Sequence, residues 1–414
     1  MLSSGDTVIS GMRVLCTSIL SPSQTREAIR FARLLSGAGH EVHIATEEHL
    51  LGFFLDQGVP ATPCLPSLFG DAMTAGEETR DAVGHLRSGA ASPDTAALAL
   101  AGPHLLSQFT ALDALAHEFK PDLLLRDAMD VSACLVAEKL AIPQVAMASG
   151  AKGFTDPAAL LPYLNQWRST TGLPLQDDPL SLTAHGHLDY LPPSWTFAPH
   201  LPPAHAYRQP AFHDPRAKLP SWILGLPTDR PLVYAGIGCA LPLFLPAPDG
   251  HRPLAGQPDP ATVLRSMTEG LSRLDCTAVV STSGVSVAGL DPAPHVHVVD
   301  HVPQPLLLEA VDLFLTHGGY TSVREAISTA TPMAVLPRTA DQPMNARRVT
   351  ELGIGGEVTD PTPAGIASTC RRLLDDGSVL RRVKQARLAC LALPTVETAV
   401  GDLESLVNHH TAPQ

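Results

Sequence analysis

The sequence predicts an α/β protein with two doubly wound parallel sheets, and three observations lead to this prediction. In the first half of the chain, short apolar runs alternate with Gly- or Pro-containing loops and longer amphipathic stretches. The same alternation resumes after about residue 230. Between 160 and 219 it weakens and prolines become frequent, which is typical of a passage between domains. We therefore expect two facing domains with a ligand cleft between them.

The alternation also places the individual elements. In the first half it predicts strands at 13–17, 41–45, 121–125 and 142–148, and helices at 25–36 and 131–140. In the second half it predicts strands at 231–235, 278–281, 296–299, 313–316 and 333–336, and helices at 261–274, 320–329, 345–352 and 364–375.

These elements group into an N-terminal domain over 12–215 and a C-terminal domain over 225–385. We expect a hinge near 205–230, because a cleft between two domains has to open and close around its ligands. The remaining segment, 386–414, is expected to form a helix that packs back on the first domain.

Composition and charge exclude several classes of protein. The 414 residues carry a formal net charge of −13, which argues against a nucleic-acid-binding surface. No stretch is long and apolar enough to span a membrane, and residues 1–11 lack the basic flank and apolar core of a signal peptide. Seven cysteines without CxxC spacing are typical of free thiols in a reducing compartment. The expected protein is cytoplasmic, monomeric or homodimeric, and binds neither nucleic acid nor membrane.

The most informative segment is 313–348. A predicted strand there runs into the turn His317-Gly318-Gly319, which opens a helix with Ser322 in its first turn. Such a turn exposes peptide N–H groups to an anion, and the helix dipole adds about half a positive charge at that point. Glycine lets the backbone approach a phosphate closely. The segment therefore predicts a diphosphate site.

A second element strengthens the prediction of a ligand site. Asp341 and Gln342 follow the next predicted strand along the chain. Because parallel strands end at the same edge of a sheet, these side chains are expected near the His-Gly-Gly turn.

With these motifs the sequence resembles the family 1 glycosyltransferases of the GT-B fold, the group that contains the actinobacterial antibiotic glycosyltransferases. The resemblance runs from about Arg13 to near the C terminus and is most specific from Asp300 to Gly356. It implies two facing Rossmann-like domains, with the acceptor bound mainly by the first and the nucleotide sugar by the second. It also implies a metal-independent reaction with no cofactor beyond the nucleotide-sugar co-substrate.

The resemblance further implies a set of donor-binding residues. The implied contacts to the diphosphate come from His317, the backbone of Gly318, Gly319 and Ser322, and Gly238 at the end of a strand. Glu325 is implied to reach the ribose, and Asp341 and Gln342 the sugar hydroxyls. The segment implied to hold the base contains His301, Val302 and Gln304.

Three positions depart from the family pattern. Ala330 stands where glycine is expected, and Thr339 stands where an aromatic side chain is frequent. Cys239 follows Gly238 where serine or threonine is usual. Cysteine is a poor hydrogen-bond donor to phosphate, so a contact there is expected to be weak.

The family position of the catalytic base also differs. Many members use a histidine in the loop after the first strand, oriented by an aspartate after a later strand. Gln24 occupies the histidine position, whereas Asp127 occupies the aspartate position. An amide is not a general base near neutral pH. Asp127 is therefore either the base itself or a structural carboxylate at a strand end.

Three hypotheses follow from this difference. In the first hypothesis, Asp127 is the base, directly or through water, for an acidic phenol or a carbon nucleophile, as in C-glycosyltransferases that resemble this chain in lacking the histidine. Alternatively, Gln24 positions an amide or indole nitrogen. In the third hypothesis, the chain is an inactive homologue that binds nucleotide sugar or activates a partner enzyme.

The predicted function is that of an inverting hexosyltransferase. It moves a sugar or deoxysugar from a dTDP- or UDP-sugar to a small hydrophobic aglycone, aromatic or polyketide, with O-, N- or C-linkage left open. The candidate acceptor contacts are Ser21, Phe69, Met73 and Phe154, of which the apolar three are equally consistent with core positions.

Overall fold

Two parallel sheets, one in each half of the chain, organise the residues described by the computed structural model, which are 11–209, 217–238 and 259–411. The first sheet has the order β3-β2-β1-β4-β5. Its strands are β1 (Arg13–Ser18), β2 (Glu41–Glu47), β3 (Ala61–Leu65), β4 (Leu123–Arg126) and β5 (Gln144–Ala146).

Helices cover both faces of the first sheet, as its continuous runs of buried residues require. Alternate residues of β1 show the two faces: Leu15 joins one apolar cluster, and Val14 and Cys16 join the other. The helices of this unit are α1 (Pro22–Gly37), α2 (Leu51–Leu55), α3 (Leu68–Thr74), α4 (Glu77–Ser88), α5 (Pro93–Ala101), α6 (Leu105–Phe119), α7 (Ser132–Leu140) and α8 (Pro157–Thr171).

A short connecting segment follows, with the two-residue strands β6 (Leu188–Asp189) and β7 (His205–Ala206). Leu191, Trp195 and Phe197 of this segment are buried in an apolar cluster of the second unit. Tyr207 returns to a cluster of the first unit. The chain therefore first joins an apolar cluster of the second unit near residue 191, before the expected passage at 205–230. Part of that expected hinge, 210–216, lies outside the described residues, as does 239–258.

The second sheet repeats the topology of the first and adds one strand, in the order β10-β9-β8-β11-β12-β13. Its strands are β8 (Leu232–Gly236), β9 (Thr277–Ser281), β10 (Val296–Val299), β11 (Leu313–Thr316), β12 (Met333–Val335) and β13 (Gly355–Glu357). Its helices are α9 (Pro260–Leu271), α10 (Gln304–Leu307), α11 (Tyr320–Thr329), α12 (Gln342–Glu351), α13 (Pro363–Asp375) and α14 (Gly377–Leu391). Counted within each unit, both orders begin 3-2-1-4-5, and the sixth strand of the second sheet completes the order 3-2-1-4-5-6 of the dinucleotide-binding fold.

The chain ends in helix α15 (Thr398–Thr411), which packs on the first sheet rather than the second. Val396, Ala399, Leu403 and Val407 are buried beside Val14 and other first-unit residues. Helix α14, by contrast, buries Val383 and Ala386 in the second unit. The expected boundary at 385 therefore falls inside α14, and the return to the first unit occurs after Leu391.

Most predicted elements have counterparts in the structure, with shifted ends. The strand expected at 142–148 is limited to Gln144–Ala146, and the helix expected from 345 begins at Gln342. The region expected to be weakly patterned from 160 onward contains α8, whose first turn is capped by the Asp156 side chain and which tolerates Pro162 within it.

We expect the apolar face of α15 to contribute strongly to the stability of the first unit. The Leu403 side chain is 3% exposed, so Leu403→Ala should lower the free energy of unfolding by about 2–4 kcal/mol through lost burial and a residual cavity. Leu388→Ala in α14 is a matched control. Leu388 is 67% exposed, and its truncation should change the free energy by less than about 0.5 kcal/mol. Urea denaturation measures both, and equal losses would contradict the packing of α15.

Candidate active site

The turn between β11 and α11 has the backbone geometry of an anion cradle. Gly318 lies at φ +84°, and a Cβ there would overlap the Val335 side chain, so only glycine fits without strain. The Gly318 N–H donates to Thr316 Oγ1 at 3.2 Å, which fixes the turn. Helix α11 then begins at Tyr320, and Gly319, its N-cap, gives no side-chain cap. The helix N-terminus therefore faces the cleft without a side-chain cap from its own N-cap residue.

His317 lies between two glycines. A Cβ on Gly238 or Gly319 would overlap its ring, so both positions leave room for the imidazole. Burial lowers the pKa of His317 to about 4, and a hydrogen bond with the Gly236 backbone offsets this only in part. His317 is therefore neutral near pH 7 and can contact a phosphate as a hydrogen-bonding group rather than as a cation.

Asp341 is held against this turn by two bonds. Asn345 Nδ2 donates to Asp341 Oδ2 at 2.8 Å and also to the Gly318 carbonyl at 2.8 Å. The Tyr320 backbone N–H donates to the Asp341 carboxylate as well. Burial raises the pKa of Asp341 to about 6, and these hydrogen bonds oppose the rise. The expected proximity of Asp341 to the His-Gly-Gly turn is thus present, because β11 and β12 are adjacent parallel strands.

The Gln342 side chain is engaged by its own loop. Its Oε1 accepts from the N–H groups of Arg338 at 2.9 Å and Thr339 at 3.1 Å. Its Nε2 donates to Thr339 Oγ1 at 2.8 Å. These bonds hold the loop that presents Asp341, so a contact from Gln342 to sugar hydroxyls stays a prediction.

The residues expected around the nucleoside form a second group on the same side. Gln304 Nε2 donates to Ser322 Oγ at 3.3 Å and to the Glu325 carboxylate. Ser322 and Glu325 are three residues apart and share one face of α11. Burial raises the pKa of Glu325, partly opposed by the bond from Gln304.

In the segment implied to hold the nucleotide base, 301–304, adjacent side chains differ in exposure. His301 is exposed, whereas Val302 is buried in an apolar cluster of the second unit. An exposed ring is available for stacking, and only the backbone of Val302 is available to a ligand.

The loop after β1 is held by two buried carboxylates. The Leu20 N–H donates to Glu47 Oε1 at 3.0 Å, and the Ile19 N–H approaches Asp127 Oδ2 at 3.5 Å, the limit of hydrogen-bond distance. Leu20 itself lies at φ +66°, a strained backbone conformation for a branched side chain. Ser21 then caps α1 by accepting from the Ser23 N–H at 3.3 Å.

Asp127 combines a structural role with an unusual pKa. Its Oδ1 accepts from the Met129 N–H at 3.0 Å, and its own N–H donates to Thr17 Oγ1 at 3.0 Å. Burial raises the pKa of Asp127 to about 7, with a further rise from Asp130 and opposing hydrogen bonds from Met129 and Ile19. The carboxyl group therefore changes protonation near neutral pH, as a general base or acid must.

Gln24 and Asp341 lie on either side of one short segment. Gln24 Nε2 donates to Ser149 Oγ at 2.6 Å. The next residue, Gly150, is so close to Asp341 that a Cβ there would overlap the carboxylate. The segment 149–150 thus brings Gln24 of the first unit and Asp341 of the second into one site.

A second contact joins the two units. The Ala340 N–H donates to the Arg87 carbonyl at 2.9 Å, and Gly89 packs against Pro343. Phe69 and Phe154, two candidate acceptor contacts, are partly buried against the same apolar cluster of the first unit. The Arg87 guanidinium lies 5.2 Å from the Phe69 ring centroid. Met73 lies in α3, and its side chain is outside the described part of the chain, as is Cys239.

Sequence reasoning missed three residues that shape the site. Asn345 follows Asp341 by four residues, a spacing that places both on one helix face and was a usable signal. Glu47 ends a buried strand, which is a weaker signal of the same kind as Asp127. Ser149 has no signal in the sequence, because its contact with Gln24 joins residues 125 positions apart.

Comparison with known proteins places this geometry in a class. Residues 265–406 match the family model described as Erythromycin biosynthesis protein CIII-like, C-terminal domain. The chain is 27% identical to a 10-deoxymethynolide desosaminyltransferase of Streptomyces venezuelae, covering 97% of this chain and 99% of the relative. It is 24% identical to an aclacinomycin-T 2-deoxy-L-fucose transferase of Streptomyces galilaeus, covering 96% and 97%.

Solved structures share the whole fold. The glycosyltransferase SsfS6 of Streptomyces sp. SF2575, complexed with thymidine diphosphate, superposes with a TM-score of 0.68 at 22% identity, over 95% of this chain and 99% of that one. The two facing parallel sheets are thus the GT-B fold, and the chain is a glycosyltransferase. Its sequence is similar over nearly its whole length to actinobacterial natural-product glycosyltransferases, and the family-model match lies mainly in the second unit.

Two absences among the described residues concern metal sites and membrane-spanning helices. Across 11–209, 217–238 and 259–411, no three His, Cys, Asp or Glu side chains converge as a metal site would need. In the same part of the chain no helix combines the length and apolarity needed to cross a membrane. Metal independence stays a prediction.

We expect the ionised Asp341 carboxylate to lower the free energy of unfolding while it supports binding of the donor. Because its folded pKa of about 6 lies above the ordinary 3.8, its favourable contribution to stability is present below about pH 4 and is lost as the pH rises through 6. We expect Asp341→Asn to raise the free energy of unfolding at pH 8 by on the order of 1 kcal/mol, with the gain shrinking toward pH 4.

The same variant should weaken use of the donor. Thermal unfolding between pH 4 and 8 and donor KM measure the two effects. Asp291→Asn, at an exposed loop position, is the control and should change neither. A uniform destabilisation of Asp341→Asn at every pH would contradict the assignment.

Proposed function

We propose that this glycosyltransferase inverts the anomeric centre while moving a sugar or deoxysugar from a dTDP- or UDP-sugar to an aromatic or polyketide aglycone. The observation that carries the proposal is the meeting of the Asp341 loop, the His-Gly-Gly turn and the Gln24–Ser149 pair in one site. Deoxysugar transfer to natural products is what the names of the Streptomyces relatives describe. That similarity supports the choice of donor and acceptor class.

In the proposed complex the diphosphate lies at the N-terminus of α11. Peptide N–H groups and the helix dipole offset its charge locally, which matters because the chain carries a net charge of −13. Neutral His317 adds a hydrogen bond. Asp341 accepts from sugar hydroxyls and thereby fixes the sugar over the turn. The nucleotide then leaves from the side of the second unit.

The acceptor attacks from the side of the first unit. Its nucleophile approaches C1 opposite the diphosphate, so the C1–O bond to the diphosphate breaks as the new bond to C1 forms. Asp127 takes the proton, directly or through one water, because its pKa of about 7 suits that step. Gln24 orients the acceptor together with Ser149. An acidic phenol, or a carbon nucleophile activated by a neighbouring phenol, suits a carboxylate base best because its proton is the easiest to remove.

The proposed function is tested with a panel of dTDP- and UDP-sugars and aromatic or polyketide acceptors. We expect release of nucleotide with formation of a product of the summed mass, and the same rate with and without EDTA. Nucleotide binding by calorimetry without any transfer would support the inactive-homologue hypothesis instead. Absence of both binding and transfer would refute the proposal.

The base is tested by Asp127→Asn. If Asp127 takes the proton, kcat should fall by roughly 100-fold while donor affinity stays unchanged. The matched control is Asp130→Asn, at a buried carboxylate that accepts from Ser132 Oγ at 2.6 Å and from the N–H of Ala133. We expect that control to lose stability and to lower the pKa of Asp127, with a much smaller loss of kcat than in Asp127→Asn. Equal kcat losses in the two variants would remove Asp127 from the chemistry.

Gln24→His is the complementary variant. A histidine at this position would face the Ser149 hydroxyl, which now accepts from Gln24 at 2.6 Å. We expect a gain of transfer to alcohol acceptors, because a neutral imidazole removes a proton that an amide does not. The rate with a set of alcohol acceptors measures the gain, and an unchanged rate would show that the loop does not present the ring to the acceptor.

A further inference from the structure

Charged and hydroxyl side chains are buried together where the two units meet. We call this group the interdomain charge network, and it consists of Glu27, Arg30, Lys152, Asp189, Tyr190, Tyr320 and Arg324. It joins α1 and the loop after β5 in the first unit to the connecting segment and to α11 in the second unit. Its members span almost 300 residues of sequence, so only the assembled fold creates it.

Glu27 is the centre of one half of the network. Arg324 Nη2 lies 2.9 Å from Glu27 Oε1, and Arg30 Nη1 lies 3.0 Å from Glu27 Oε2. The Tyr190 hydroxyl donates to Glu27 Oε2 at 2.9 Å. The Arg324 guanidinium also stacks 4.8 Å from the Tyr190 ring centroid and 5.0 Å from that of Tyr320.

Asp189 is the centre of the other half. Lys152 Nζ lies 2.7 Å from Asp189 Oδ2, and the Tyr320 hydroxyl donates to Asp189 Oδ1. Tyr320 is the first residue of α11, so this bond holds the helix at its N-terminus. The Asp189 backbone belongs to the connecting segment, which thereby links both units.

The surroundings of Glu27 and Arg324 favour their charged forms although both side chains are buried. Glu27 is 4% exposed and Arg324 is 2% exposed. Burial alone would raise the pKa of Glu27, but Arg324 and Arg30 outweigh it and leave the pKa below its usual value. A buried ion pair adds little net stability compared with apolar residues of the same volume, and its best attested role is to fix register.

The network lies within about one turn of Gln24 in α1 and of the N-terminus of α11. Glu27 is three residues beyond Gln24 in α1, and Arg324 is four residues beyond Tyr320 in α11, about 4.5 and 6 Å along the helix axes. A displacement of one helix against the other therefore moves the acceptor-side loop relative to the diphosphate turn. Misplacement of reacting atoms by about 1 Å can cost 100-fold in rate.

We propose that Glu27 and Arg324 are positioning residues that set the distance between the acceptor nucleophile and C1 of the donor sugar, and so decide whether the sugar is transferred or hydrolysed. This inference rests on the proposed glycosyl transfer. In transfer, the acceptor bonds to C1, its proton goes to the base, and the nucleotide leaves with the electron pair of the C1–O bond. In hydrolysis, water takes the place of the acceptor and gives free sugar with the same leaving group.

The test compares two carboxylates that each pair with a buried arginine. Glu27→Gln breaks the interdomain pair, whereas Glu138→Gln breaks the pair of Glu138 with Arg168, 2.6 Å apart within the first unit. With a dTDP-sugar and an accepted aglycone, we measure glycosylated product and free sugar. Glu27→Gln should lower the ratio of transfer to hydrolysis about tenfold, through kcat and not through dTDP affinity. Glu138→Gln should leave the ratio unchanged, although both variants lower the thermal midpoint.

Two additions keep the proposal open to refutation. Tyr190→Phe removes one bond to Glu27 and retains the ring beneath Arg324, so it replaces Glu27→Gln if that variant fails to fold, and the ratio should fall about twofold to threefold. Hydrogen exchange of the amides of 320–327 needs no substrate. It should accelerate in Glu27→Gln and not in Glu138→Gln.

The outcomes separate the two proposals. If the wild type transfers no sugar, the proposed function fails, and the exchange experiment still tests the coupling of the two helices. Unchanged exchange in Glu27→Gln would overturn the inference, as would an unchanged ratio of transfer to hydrolysis. Equal changes in Glu27→Gln and Glu138→Gln would also overturn it, because general destabilisation would then explain them.

Discussion

A buried ion pair of Glu27 with Arg324 joins the two units where α1 meets α11. Within each unit, apolar clusters on both faces of a parallel sheet supply the cohesion. Between the units, the central contact is ionic and hydroxylic instead. When the two units separate, the charged groups between them become hydrated again. Separation therefore exposes less apolar surface than the opening of a hydrophobic interface would. Closure then returns to one register, because an ion pair with fixed hydrogen-bond geometry has a single best arrangement. A cleft that must admit an aglycone and then exclude water benefits from both properties.

The fold was largely predictable where strands are buried on both faces. Such strands form continuous apolar runs, as Leu313–Thr316 does, and the helices between them show a clear polar face. Prediction was poorest from 68 to 119, where four helices lie side by side. Helix α5 is rich in alanine, which weakens the contrast between its two faces, and β3 contains Pro63. Helix α8 was missed because Pro162 lies inside it, beyond the first turn, where proline usually kinks or ends a helix.

In the site, too, residues that are close together in sequence were predictable, whereas partners that are far apart in sequence were not. His317, Gly318 and Asp341 were predictable because a strand, a tight turn and a helix N-terminus are consecutive in sequence, and Gly318 does adopt the positive φ that its turn requires. The partners that orient them were not. Asn345 bonds both Asp341 and the Gly318 carbonyl, Ser149 meets Gln24, and Gly150 must lack a side chain because Asp341 lies against it. Each of these constraints arises only when loops from different strands converge. The resemblance to a family therefore indicates which residues are present, and the three-dimensional structure supplies the reason for their neighbours.

Helix α15 has a consequence for how the chain is made. The residues that complete an apolar cluster of the first unit, Ala399, Leu403 and Val407, follow the whole second unit in sequence and are therefore synthesised after it. The nascent first unit consequently leaves the ribosome with part of its core uncovered, although N-terminal domains generally fold first. The second unit, whose clusters are built from contiguous sequence apart from Leu191, Trp195 and Phe197, has no such delay. The order of synthesis is thus the reverse of the order in which the two cores can be completed, and emergence of α15 becomes the event that completes the first unit.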